Sequence, residues 1–132
     1  MSQSAINNDT AAAINPYSQK VAHLRQQILN IFLEDDRFVE TVLGEASESD
    51  RLSHHELHEK ITTVRELLQD LHAADIADIL EALPYDERLA LWHLVDNNER
   101  GAVLVEASVA VWDSLIKDMT DRELLRSVAS LH

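Results

Sequence analysis

Seven histidines and twenty-four carboxylates are the side chains through which this chain of 132 residues could do chemistry. The histidines gather at His54-His55-Glu56-Leu57-His58. On a helix, His54 and His58 stand four apart on one face, a spacing that can chelate zinc or nickel. The zincin pattern needs Glu directly after the first His, and His55 holds that place. No third ligand can be named, so the cluster reads as polar residues on the exposed first turn of a helix. His72 and His93 lie beside apolar positions, where capping or packing is the expected role. Trp92 and Trp112 are flanked by Leu and Val and read as buried anchors of an aliphatic interior. There are two glycines and no cysteine, hence no glycine-rich phosphate loop, no thiol nucleophile and no thiolate zinc site. Serines and histidines are scattered on polar segments, and carboxylate abundance in an acidic chain does not single out a general acid or base. The chain reads as not an enzyme.

The balance of 24 acidic against 11 basic residues leaves a formal charge of -13. Phosphate backbones and anionic lipid both require clustered Lys and Arg, so nucleic acid and direct membrane insertion are excluded as partners. An acidic surface does concentrate divalent cations, and it discourages self-association. No apolar stretch approaches the roughly eighteen residues that cross a bilayer, and the amino terminus lacks the pattern of an export signal. The chain as given is therefore expected to be soluble, and the lack of cysteine agrees with a reducing compartment.

With 45% hydrophobic residues, few aromatics, two Gly and two Pro, the composition predicts a helical fold around an aliphatic core. Residues 1–17 are mostly small and polar and read as a disordered lead-in, closed by Pro16. From there Val21, Leu24, Ile28, Ile31 and Phe32 fall at helical spacing, with Ser18 available as the cap. A second short stripe, Phe38, Val39, Val42, Leu43 and Ala46, follows Asp35-Asp36, with Gly44 as a place where it can end early. Residues 47–52 are a candidate internal linker. Ser53 and Glu56 then form a capping box, opening a helix striped by Leu57, Ile61, Val64, Leu68 and Leu71. Beyond it an acidic or small polar start, aliphatic residues three and four apart and a break recur about every twelve residues. The recurrences fall at Asp86-Glu87-Arg88-Leu89, at Asn98-Glu99-Arg100, near Val109 to Trp112, and at Asp121 to Leu124. Pro84, Asn97-Asn98 and Ser108 are the expected breaks, and Thr120 with Glu123 suggests one more cap. Helices this short are unstable alone and must stack. The fold class expected is all-α, a right-handed superhelix (α-solenoid) of short helices over residues 18–132.

The segment LHAADIADILEALP, residues 71–84, followed by DERLALWHLV, ERGAVLVEA and DRELLRSVASL, resembles the cytosolic N-terminal domain of MgtE-type magnesium transporters. The resemblance covers about residues 67–131 and rests on His72, Asp75, Ala77, Asp78, Leu80, Glu81, Leu83 and Pro84 in that order. It departs at Ala73, where the family places Pro in the first helical turn.

The resemblance implies a regulatory, magnesium-sensing domain on the cytoplasmic face of the inner membrane. Its partners would be a CBS domain pair and a transmembrane domain that this chain does not contain. The full transporter would be a homodimer and the isolated domain a monomer. Magnesium, held weakly between carboxylates of both parts, would favour a closed pore. The family's metal-facing carboxylate aligns with Ala102. Glu99 and Glu106, three before and four after it, share its helix face and are the candidate metal residues. Asp75 and Asp78 match the family motif, and Asp75 also suits a helix N-terminus. The reading from another class is a helical-repeat adaptor that binds a protein segment and has no metal role.

Overall fold

The computed structural model describes the backbone of residues 15–129 and the side chains of residues 15–119. Among them lie seven helices and no strand: α1 (Pro16–Glu34), α2 (Asp36–Leu43), α3 (His54–Gln69), α4 (Ala73–Ala82), α5 (Tyr85–Leu94), α6 (Asn97–Glu106) and α7 (Val109–Ala129). Residues 1–14, where most of the expected lead-in falls, lie outside this range. Helix α1 opens at Pro16, whose fixed φ suits a first helical position. Its cap is Asn15, which accepts from the Ser18 N–H at 2.7 Å, so Ser18 is inside the helix and not its cap. Leu24, Ile28 and Phe32 form its buried seam.

Asp35 ends α1 and begins α2. Its carboxylate accepts from the Phe38 N–H at 3.1 Å and pairs with Lys60 of α3. Burial raises the Asp35 carboxyl, but the Lys60 ammonium and the Phe38 N–H more than offset this and hold it below its ordinary value. Gly44 terminates α2 at φ 74°, left-handed backbone that a side chain would strain. Arg37 then donates to the carbonyl of Asp50 at 2.9 Å, and Leu52 is buried, so residues 45–53 turn back against α2. The capping box is formed as expected, with the Glu56 N–H on Ser53 Oγ and the Ser53 N–H on the Glu56 carboxylate.

From His72 onward the chain keeps a strict period. The residues preceding α4, α5, α6 and α7 are His72, Pro84, Asp96 and Ser108, twelve apart, and α4 to α6 each have ten residues. The seventh residue after each of these positions, Ile79, Leu91, Val103 and Leu115, is wholly buried. Next-but-one helices pack together, α3 with α5, α4 with α6 and α5 with α7, and α2 packs on α5. One continuous core runs from Leu24 to Leu115.

Two arginines tie successive repeats together. Arg88 donates to the carbonyls of Leu80 and Leu83 at 2.8 and 3.0 Å, and also to Ser114 Oγ at 2.8 Å. Twelve residues on, Arg100 donates to the corresponding carbonyls of Trp92 and Val95 at 3.2 and 3.1 Å. Each guanidinium thus sits at the carbonyl end of the preceding helix, where the helix dipole also favours positive charge. Arg100 lies over the Trp92 ring as well, 5.1 Å from its centroid.

Two expectations change. Trp92 is buried, but Trp112 is 42% exposed, because α7 turns its neighbours Val111 and Leu115 inward. Helix α7 also passes through Thr120 without a break. A capping pattern with no glycine, proline or other helix breaker beside it does not stop a helix.

Arg88→Met should lower stability by about 1.5–3 kcal/mol, since it removes charged hydrogen bonds from partly buried carbonyls while keeping the aliphatic stem. Arg100→Met should cost a similar amount, and both would be read from urea unfolding followed by circular dichroism. A change within about 0.5 kcal/mol would mean that the carbonyls are satisfied equally well by water.

Candidate cation-facing surface

Helix α6 packs on α4, with Val103 drawn into the core. Asp96 caps it, accepting from the Asn98 N–H at 3.1 Å. Around Val103 the residues Asn98, Glu99, Ala102, Val105 and Glu106 are all exposed. Glu99 and Glu106 therefore stand to either side of Ala102 on one solvent-facing side of α6, as the spacing required. Neither carboxylate has a protein cation against it among the ion pairs found. Glu99 also reaches the rim of a groove of about 500 Å³ between α3 and the α5–α6 connection, together with Arg65, His93, Asp96 and Arg100.

The carboxylates of the 71–84 segment are engaged differently. Asp75 accepts from the His72 N–H at 3.0 Å and from the Tyr17 hydroxyl. The Tyr17 ring stacks on His72 with centroids 4.6 Å apart. Asp78 pairs with Arg25 at 3.3 Å, without hydrogen-bond alignment at Arg25 Nε, and Asp70 pairs with Lys20 at 3.3 Å. Helix α1 is thus clasped by side chains from three of its turns, Tyr17 and Arg25 to α4 and Lys20 to Asp70 at the end of α3, and Asp75 and Asp78 are occupied within the chain.

A second acidic surface was not readable in the sequence. Packing of α2 on α5 brings Asp36, Glu40, Glu45, Asp86 and Glu87 around a shallow pocket of about 340 Å³. The two halves of this wall lie more than forty residues apart, and no spacing rule connects them. His54 and His58 remain exposed on α3, and His55 pairs with Glu59 at 3.1 Å. Among the described residues no set of three or more His, Asp or Glu side chains stands where it could hold a metal ion. Among the same residues no helix is long and apolar enough to cross a membrane.

Short capped helices in alternate packing define an all-α protein of stacked helices, with exposed carboxylates along its outer helices. Residues 71–132, a little under half of the chain, match the model of the MgtE intracellular N domain family. No curated protein and no solved structure matches the chain. The matched residues begin at Leu71, where the twelve-residue period begins in the structure.

Partial desolvation and the bond to Asp75 raise the Tyr17 hydroxyl above its ordinary value. A group raised on folding stabilises the fold below its unfolded pKa, about 10 for tyrosine, and loses that contribution as pH climbs through the folded value. Thermal melts between about pH 8 and 11 should show an extra alkaline decline in the wild-type chain. Tyr17→Phe should be less stable at neutral pH and should lack this decline. Parallel pH profiles for the two proteins would remove Tyr17 from the clasp.

Proposed function

We propose that the chain is the regulatory, magnesium-sensing part of an MgtE-type magnesium transporter on the cytoplasmic face of the membrane. In this reading the exposed face of α6 is turned towards a CBS domain pair. The observation that carries the proposal is the position of Glu99 and Glu106 on either side of Ala102, on an exposed helix within the segment matched to the MgtE intracellular N domain. The alternate helix packing is read as part of a right-handed superhelix, which leaves one long side free for such a partner. The complete transporter is expected to be a homodimer and this domain alone a monomer.

The donor set fits magnesium as one wall of a shared site. Magnesium keeps most of its waters and takes one or two carboxylates from each side; when bound, it supplies positive charge between the two parts. Glu99 and Glu106 would hold it on this side. The rest of the mechanism is repulsion between like-charged walls. Two carboxylates about 5 Å apart repel by about 3 kcal/mol at an effective dielectric near 20, less where solvent and salt screen them. A few such pairs bias an open arrangement against a closed one. Neutralising them lets the domain approach its partner, which favours the closed pore.

In the full transporter, Glu99→Gln with Glu106→Gln should shift closure to lower magnesium or flatten the response, read as protection from protease across a magnesium titration. The isolated chain, holding half of each site, should bind magnesium only in the millimolar range or more weakly by calorimetry. An unchanged midpoint with folding intact would remove both residues from sensing. Submicromolar binding by the isolated chain would require a complete internal site and would overturn the shared one.

A further inference from the structure

Helix α1 has two unlike halves. In the second, Leu24, Ile28 and Phe32 are buried in the core. In the first, from Pro16 to His23, no residue is buried, and only Tyr17 and Val21 are half-buried. These two turns are held by polar contacts to residues 70–75. The His72 N–H donates to the Tyr17 hydroxyl oxygen at 3.3 Å, the hydroxyl donates to Asp75, and the ring stacks on His72. Lys20 meets Asp70 between exposed side chains. Just past Leu24, Arg25 meets Asp78 without an aligned hydrogen bond at Nε. Exposed pairs of this kind are weak and are screened by salt.

Charge accounts for the arrangement. Helix α1 has no Asp or Glu before Glu34 but carries Lys20, His23 and Arg25, in a chain of net charge -13. The corner it covers presents Asp70, Asp75 and Asp78. Its first half therefore acts as the chain's own counter-cation there. Burial fixes one half of the helix and polar contacts the other, so the two halves can open separately. We infer that Pro16–His23 is a releasable strap, hinged at Leu24 beside the Arg25–Asp78 pair, whose closure is set by ionic strength. Opening returns Asp70 and Asp75 to solvent at the start of the 71–84 segment while Ile28 and Phe32 stay in the core. The strap involves no residue of α6, and its behaviour does not depend on the magnesium reading.

Hydrogen exchange of the whole chain, followed at single amides at fixed pH, tests this. Amides of Lys20–His23 should exchange about tenfold or more faster than those of Ile28–Phe32, through an opening smaller than global unfolding. Asp70→Asn should speed strap exchange by about twofold or more and leave Ile28–Phe32 unchanged. Asp70 lies outside α1, so simple fraying of a helix end would not respond to it. Lys20→Glu alone should also speed the strap, and Lys20→Glu with Asp70→Lys should restore it. Raising sodium chloride from about 0.02 to about 0.5 M should speed the wild-type strap and have less effect in Asp70→Asn. A single exchange rate along α1 would overturn the inference, since the helix would then open only with the whole fold. Strap exchange indifferent to both Asp70→Asn and salt would overturn it too, because the two turns would then fray without a clasp.

Discussion

A ten-residue helix cannot hold itself together in water, because nucleation costs more than so few hydrogen bonds return. That constraint governs this molecule. The wholly buried aliphatic residue in the middle of each short helix, Ile79, Leu91, Val103 and Leu115 in turn, exists only because another helix lies against it. The caps, the arginine clamps and the alternate packing all follow from stacking such units at a period of twelve. Stability of this kind is passed between neighbours, with α4 and α5 the most enclosed of the short helices.

The same constraint separates the roles of the charged residues. Arg88 and Arg100 face inward along the stack and hold carbonyl ends. Lys20 fastens α1 to Asp70 at the end of α3, and Arg25 fastens it to Asp78 of α4. Basic residues are scarce, so using four of them in these contacts leaves the outer helices dominated by carboxylates. The pocket rimmed by Asp36, Glu40, Glu45, Asp86 and Glu87 and the exposed pair Glu99 and Glu106 are results of that distribution. Electrostatic sensing by a neighbouring domain needs such an unpaired negative surface carried on a rigid body.

Asp75 and Asp78 illustrate how position decides chemistry. Both match the residues by which the 71–84 segment resembles its family. Yet one completes the start of α4 and holds Tyr17, and the other faces Arg25. Their place at the start of a helix accounts for the negative charge without a ligand. Ala102 is the reverse case, a small side chain at an exposed place, with its charged neighbours one turn away on either side.

Local chemistry was legible in the sequence. The capping box at Ser53 and Glu56, the glycine stop at Gly44, the breaks at Pro84 and Ser108 and the twelve-residue rhythm depend on nearest turns and fixed spacings. So does the common face of Glu99 and Glu106, since 3.6 residues per turn is a property of the backbone itself. The resemblance over the 71–84 motif was equally a matter of residue order, and the family match begins at the same Leu71. What required the tertiary structure was everything set by which helix lies on which. An apolar Trp112 is an anchor if a neighbour covers it and a surface residue if none does, and periodicity alone cannot distinguish the two. The acidic wall joins α2 to α5, and the Tyr17 clasp joins α1 to α4, across separations where no spacing rule operates. Thr120 looked like a cap because its local pattern is one, but the helix continues through it. Only packing and chain continuity decide whether a capping side chain is used.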